Sequence, residues 1–108
     1  MLSIPLHDNV VFRNEDPYAE PLFVDRTSRI LRFALKPGQS VREHMAPNSP
    51  VHIVILKGIG IWTGGDKQEQ RFGPGTLLVF DEGEMHAIRA EAEEVVIVAF
   101  LHGVLGAQ

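Results

Sequence analysis

The chain has no cysteine. That excludes disulfides, thiolate metal ligands and a cysteine nucleophile together. It is also short of positive charge: ten Lys and Arg stand against fourteen Asp and Glu, for a formal net charge of −4. The two signs are interleaved along the chain. A nucleic-acid binder needs a basic face that displaces counterions from phosphates, so nucleic acid is not an expected partner. Long apolar runs are missing as well. The longest, Val95 to Leu101, falls far short of the roughly 20 residues a membrane helix needs. The opening Met1 to Asp8 lacks the basic start, apolar stretch and small-residue cleavage site of a secretory signal. Together these absences lead to the expectation of a cytoplasmic protein, neither exported nor membrane-spanning. No stretch carries helical periodicity, and no internal repeat or low-complexity segment is visible.

What is present is a succession of short extended segments. A length of 108 residues suits one domain over 1–108. A domain of this size buries enough surface that no metal is needed merely to hold it together, so a metal here would be functional. Residues 1–27 read as additional extended pieces, Val10 to Phe12 and Leu22 to Val24, with Pro17 and Pro21 barring a helix. From Ser28 to Lys36 the pattern alternates, with Leu31, Phe33 and Leu35 on one side and Arg32 and Lys36 on the other. That is the period-two signature of a half-buried strand. Val51 to Leu56 and Val95 to Leu101 are nearly continuous aliphatic runs, read as strands buried on both faces. Ile59 to Thr63 and Lys67 to Phe72 flank a Gly64-Gly65-Asp66 hairpin turn. Gly73-Pro74-Gly75 forms the next corner, and Thr76 to Phe80 and Met85 to Ala90 are further strands about the turn at Gly83. The fold class expected is therefore all-β, a barrel or sandwich.

Two stretches organise the chain. Gly38, His44 and Gly58 lie in one, and Gly75, Gly83 and His86 in the other. In order and spacing, with Pro37-Gly38 and the Gly73-Pro74-Gly75 corner, they resemble the two motifs of the cupin family over about Ile30 to Leu101. The resemblance implies an antiparallel jelly-roll, or double-stranded β-helix, barrel. It also implies a metal site at the barrel mouth, and here the chain departs from the pattern. The second histidine position of the first motif is Ala46, the acidic position is Val51, and the proline of the second motif is Asp81. Of the four usual ligands, His44 and His86 remain.

The chemistry of the motif explains why those departures matter. A His-x-His pair places two imidazoles on one strand face, and donors from neighbouring strands complete a pocket for a first-row divalent ion. Two neutral nitrogens alone make a weak site, because catalytic metals usually have three protein ligands and an open position. His52 is the candidate third ligand. Strict alternation turns it away from the face of Val51, so it joins only if a bulge shifts the register. With it, a site of His44, His52 and His86 suits zinc, iron, nickel, manganese or copper.

Plainer roles compete for each of these residues. His7 and His102, near the two ends, read as structural histidines. Arg42, Glu43 and Glu84 read as solvated rim charges, while Arg89 either reaches an anionic ligand at the mouth or pairs with Glu91 or Glu93. Met45, Trp62 and Met85 fill a core more often than they line a cavity. Apolar residues on both faces of two strands predict cover by the N-terminal segment or by a second copy, hence a homodimer. Two functions stay open: a metal-binding cupin that acts on or binds a small molecule in its cavity, and a metal-free barrel that binds a small molecule as a sensor or carrier without catalysis. The sequence does not decide whether the chain is an enzyme, nor does it name a ligand.

Overall fold

The computed structural model describes the backbone of residues 1–44 and 49–102 and the side chains of 1–41 and 49–102. Nine strands and no helix occur among the described residues: β1 Ala19–Val24, β2 Ser28–Leu35, β3 Ser40–His44, β4 Val51–Lys57, β5 Gly60–Thr63, β6 Glu69–Phe72, β7 Leu77–Phe80, β8 His86–Ala90 and β9 Val95–His102. They form two antiparallel sheets. The larger has the order β1-β2-β9-β4-β7 and the smaller β3-β8-β5-β6. β2, β4, β5, β7, β8 and β9 lie within one residue of the bounds that alternation, apolar runs and turn residues predict. β1 begins earlier than expected, at Ala19, and β3 was not foreseen. β6 starts late, at Glu69 instead of Lys67, because Lys67 takes a left-handed conformation (φ 63°) and closes the turn by donating its N–H to the Gly64 carbonyl. Val10 to Phe12 form no strand.

The core lies between the sheets, on the faces that alternation selects. Leu35 of β2, Val51, Ile53 and Ile55 of β4, Trp62 of β5, Phe80 of β7, Ile88 and Ala90 of β8, and Val95, Ile97 and Ala99 of β9 form one buried cluster. Each large aliphatic or aromatic side chain removed from water there contributes about 1.5–3 kcal/mol. Four motif glycines, Gly38, Gly58, Gly75 and Gly83, sit at corners with φ between 78° and 89°. This is a region in which a Cβ is strained, and it gives the motif spacing its physical reason.

The expectation that β4 and β9 are buried on both faces divides. β9 is buried on both over Val95 to Ala99, whereas on β4 only the inward Val51, Ile53 and Ile55 are buried and His52, Val54 and Leu56 are half-buried. The difference coincides with the path of the leading segment, which runs to Arg32 on the outer face of β2 next to β9. Arg32 is 4% exposed. Its Nη1 donates to the carbonyls of Leu6 (2.8 Å) and Asp8 (3.0 Å), its Nη2 to that of Asn9 (3.2 Å), and its Nε and Nη2 to the two carboxylate oxygens of Glu20. Farther along, Gln39 Nε2 donates to the carbonyls of Arg13 (2.6 Å) and Glu15 (2.7 Å), and Lys36 Nζ reaches Asn14. Leu77 and Val79, on the outer face of the edge strand β7, stay 60% exposed.

Candidate functional site

His86 opens β8 and shares its inward face with Ile88 and Ala90. Only 4% of it is exposed, so its ring belongs to the barrel interior. Contacts with Glu84 and Phe80 help to fix that ring. Nδ1 lies 3.1 Å from the Glu84 carbonyl oxygen, a partner that can only accept, so Nδ1 is the donor in that contact. The ring also stacks on Phe80, with centroids 4.7 Å apart and 22° between planes, and Phe80 in turn stacks on Trp62 at 6.5 Å.

The turn ahead of His86 is held by a residue that the sequence suggested was only a rim charge. Glu84 donates its N–H to the Asp81 carbonyl (3.0 Å). Its carboxylate accepts the Asp81 N–H (2.9 Å) and, from the neighbouring hairpin, the Gly65 N–H (2.8 Å). These backbone donors, Gly65 first and Asp81 next, hold its carboxyl below the ordinary carboxylate range. Glu84 thus closes the turn in the manner of an Asx or capping residue and couples it to the β5–β6 hairpin.

The register of β3 against β8 brings the other motif histidine into place. Ser40 lies opposite Arg89 and Val41 opposite Ile88, yet His44 lies opposite His86. Three residues of β3 therefore span what two residues of β8 span, which is a bulge between Val41 and His44. The shift that the sequence analysis required at His52 occurs on β3.

On β4 there is no such shift near His52. Val51, His52, Ile53 and Val54 pair without interruption with Phe80, Val79, Leu78 and Leu77, and the irregularity against β9 falls between Ile55 and Lys57. Val51 consequently faces the core, and His52 faces the opposite side of the sheet. There His52 Nδ1 stands 3.3 Å from His102 Nε2. The expected grouping of His52 with His44 and His86 is not assembled, because strict alternation prevails where no bulge intervenes. His102 has a side-chain partner that the sequence reading did not foresee.

The remaining candidates sort as follows. Arg89 pairs with Glu69 at 3.0 Å and not with Glu91, which pairs with Arg71 at 2.9 Å. Both are exposed pairs on the outer face of the smaller sheet. Trp62 is a core residue; its buried indole N–H has no hydrogen-bond partner among the described residues. Met85 is half-buried. Met45 and Ala46, and the side chains of Arg42, Glu43 and His44, lie outside the described residues. Two clefts open along the seams between the sheets. One, of about 260 Å³, runs between β6 and β7 over Trp62, Phe72, Leu78 and Phe80, with Gln68 and Gln70 at its side. The other, of about 330 Å³, is lined by Asp16, Pro17, Phe33, Ser40 and Val41.

The family model described as the cupin domain matches residues 31–102. The chain is a cupin. Solved structures agree with that fold. A Thermus thermophilus protein superimposes with a TM-score of 0.88 at 22% identity, covering 95% of this chain and 98% of its own. An RmlC-like cupin from Desulfovibrio desulfuricans gives 0.85 at 23% identity, with 95% and 97% covered. A predicted oxalate decarboxylase from Thermotoga maritima gives 0.71 at 19% identity, with 86% and 98% covered. No curated protein matches the chain in sequence.

Within this cupin barrel the donor set can be tested against a metal. Among the described residues no group of three His, Asp or Glu side chains converges on one point. Val51 and Ala46 offer no donor where the family places two, His52 faces outward, and the Glu84 carboxylate is engaged by two backbone N–H groups. Among the described side chains, what remains inside is the imidazole of His86, with His44 opposite it in register. Two imidazoles fall short of the three protein ligands of an ordinary catalytic centre.

Proposed function

We propose that this cupin binds a small, largely apolar molecule in its barrel, with His86, and His44 across from it, as the polar groups that orient the ligand. One observation carries the reading. His86, donating from Nδ1 to the Glu84 carbonyl, is a buried polar group in a wall otherwise built from Ile88, Phe80 and Trp62, and a fixed polar group in an apolar wall is what orients a small ligand. The cleft of about 260 Å³ over Trp62 and Phe80 reaches Glu84 and Phe80, two residues that contact the His86 ring, and its size suits a compact ligand, below the roughly 300 Å³ at which pockets for drug-sized molecules start. Thermal shift against a metabolite panel, with and without chelator, tests the proposal. Stabilisation that survives chelation and disappears in His86→Phe supports it, and a ligand whose effect is abolished by chelator removes it.

The same Nδ1 contact favours a second reading. Imidazoles that ligate metals through one nitrogen usually donate from the other to a carbonyl or carboxylate. A divalent zinc, iron, nickel, manganese or copper ion held by His44 and His86, with water or substrate filling the remaining positions, is the metal-dependent alternative. Elemental analysis of untagged protein and of the His44→Ala, His86→Ala double variant decides it: equal and negligible metal in both eliminates this reading.

Self-association completes the proposal. Leu77 and Val79, each 60% exposed, lie beside the half-buried Val54 and Leu56 on the outer face of the larger sheet, an apolar area suited to a second copy. A light-scattering mass of a single chain at micromolar concentration would remove the homodimer.

A further inference from the structure

The outer face of the larger sheet carries a pair of imidazoles that the barrel interior does not use. His52 on β4 lies opposite Phe100 on β9, and His102, two residues on, is its diagonal neighbour on the same face. Their rings are tilted by 56° with centroids 5.1 Å apart, so they meet by their nitrogen edges and are not stacked face to face. His52 Nδ1 and His102 Nε2 are 3.3 Å apart.

At that separation one ring can donate to the other, and the two nitrogens share a hydrogen bond. The same spacing also matches a second geometry. Two nitrogens bound at about 2.0–2.1 Å to one tetrahedral ion stand roughly 3.3 Å from each other. We propose that His52 and His102 form an exterior chelating site for a divalent transition-metal ion of the imidazole-seeking class, copper, nickel or zinc. It is separate from the barrel interior and independent of what the interior binds.

The site is preorganised on both sides. His52 sits in the uninterrupted part of β4, hydrogen-bonded between β7 and β9. The backbone N–H of His102 donates to Ser49 Oγ at 2.7 Å, and that buried hydroxyl donates to the Pro50 carbonyl at 2.6 Å. The end of β9 is thereby tied to the start of β4. Donors already held on adjacent strands lose little freedom on binding, which raises affinity without adding contacts. Around them lie Phe100, opposite His52 on β9, Val79, opposite His52 on β7, and Ser28, opposite His102 on β2. Copper(II) should bind more tightly than nickel(II) or zinc(II), following the general order for nitrogen ligands. With two protein donors, the ion keeps positions open for water or an incoming donor.

Calorimetric titration of untagged protein with copper(II), read alongside electron paramagnetic resonance, tests this. The variants are His52→Gln, His102→Gln and the double variant His44→Gln, His86→Gln. The expected result is one equivalent of copper(II) bound with two-nitrogen imidazole hyperfine structure. It should weaken at least tenfold in either outer variant and be retained when the inner pair is replaced. Unchanged affinity and stoichiometry in both outer variants would overturn the proposal, as would loss of binding confined to the inner variant. His102 is exposed, so His102→Gln keeps the test valid should the half-buried position 52 tolerate glutamine poorly. The inner double variant separates failure of this site from failure of the interior reading.

Discussion

The phenyl ring of Phe80 lies nearly parallel to the imidazole of His86, their centroids 4.7 Å apart. One element of the larger sheet therefore sets the ring plane of a residue on the smaller one, and the Glu84 carbonyl sets its rotation. Phe80→Ala should destabilise the fold by about 3–5 kcal/mol, as for other buried phenylalanines. Phe80→Leu retains much of the volume and should cost less, while still losing the roughly 0.5–1.5 kcal/mol that aromatic pairs contribute beyond burial. Urea denaturation gives the stabilities, and the His86 ring resonances should shift in both variants. Unshifted resonances in Phe80→Leu would show that the stack does not orient the ring.

The buried guanidinium of Arg32 makes a paired prediction. Removing it by Arg32→Ala leaves Glu20 and three backbone carbonyls without their donor, and breaking a buried ion pair in this way costs about 3–5 kcal/mol. Residues 1–18 should then become cleavable by limited proteolysis before the barrel itself. Arg32→Ala protein in which the leading segment stays as resistant as in the parent would show that the clamp is not what holds it.

Two glycines at similar dihedral angles should respond differently to the same change. Gly58 has φ 79°, and a Cβ there would come 1.9 Å from the Glu94 carbonyl oxygen; Gly38 has φ 89° and open space around it. Gly38→Ala meets only the strain of the left-handed region, about 1–2 kcal/mol. Gly58→Ala adds a collision with the backbone and should cost clearly more, because the β4–β5 corner must move to admit it. Equal thermal midpoints for the two variants would contradict this.

At the turn between β1 and β2, one oxygen of Asp25 accepts from the backbone N–H groups of Thr27 and Ser28 and from both their hydroxyls. The Thr27 N–H leads the set in lowering the Asp25 pKa from its usual 3.8. A carboxylate with a depressed folded-state pKa contributes stability above its unfolded value and loses it as the pH falls through the folded one. Asp25→Ala should therefore be less stable than the parent at pH 7, with the gap closing as the pH drops below 3.8. Urea midpoints across that range check it; a gap that stays constant would mean the charge plays no part.

How far the fold could be read in advance follows from where each element gets its instructions. Strands such as β2 and β9 declare themselves through alternation or aliphatic runs, and the corners through glycines that prove to have positive φ. The bulge in β3 carries no such mark. Val41, Arg42, Glu43 and His44 contain neither glycine nor proline, and the extra residue is defined only by pairing with β8, a contact between segments far apart in the chain. The outward direction of His52 was legible from period two alone. Its pairing with His102 was not, because it depends on the register of β4 against β9. Glu84 was misjudged for a similar reason: a carboxylate next to a turn looks solvated until the Gly65 N–H arrives from another hairpin.

Arg32 and Gln39 take hold of the leading segment by its peptide oxygens at Leu6, Asp8, Asn9, Arg13 and Glu15. A grip of that kind recognises the route of the chain and is indifferent to its lettering. Side chains along the segment can drift freely in related sequences while its course stays constant, and the two residues to watch for such a tether are the arginine and the glutamine on the barrel, not any signature in the strap they fasten.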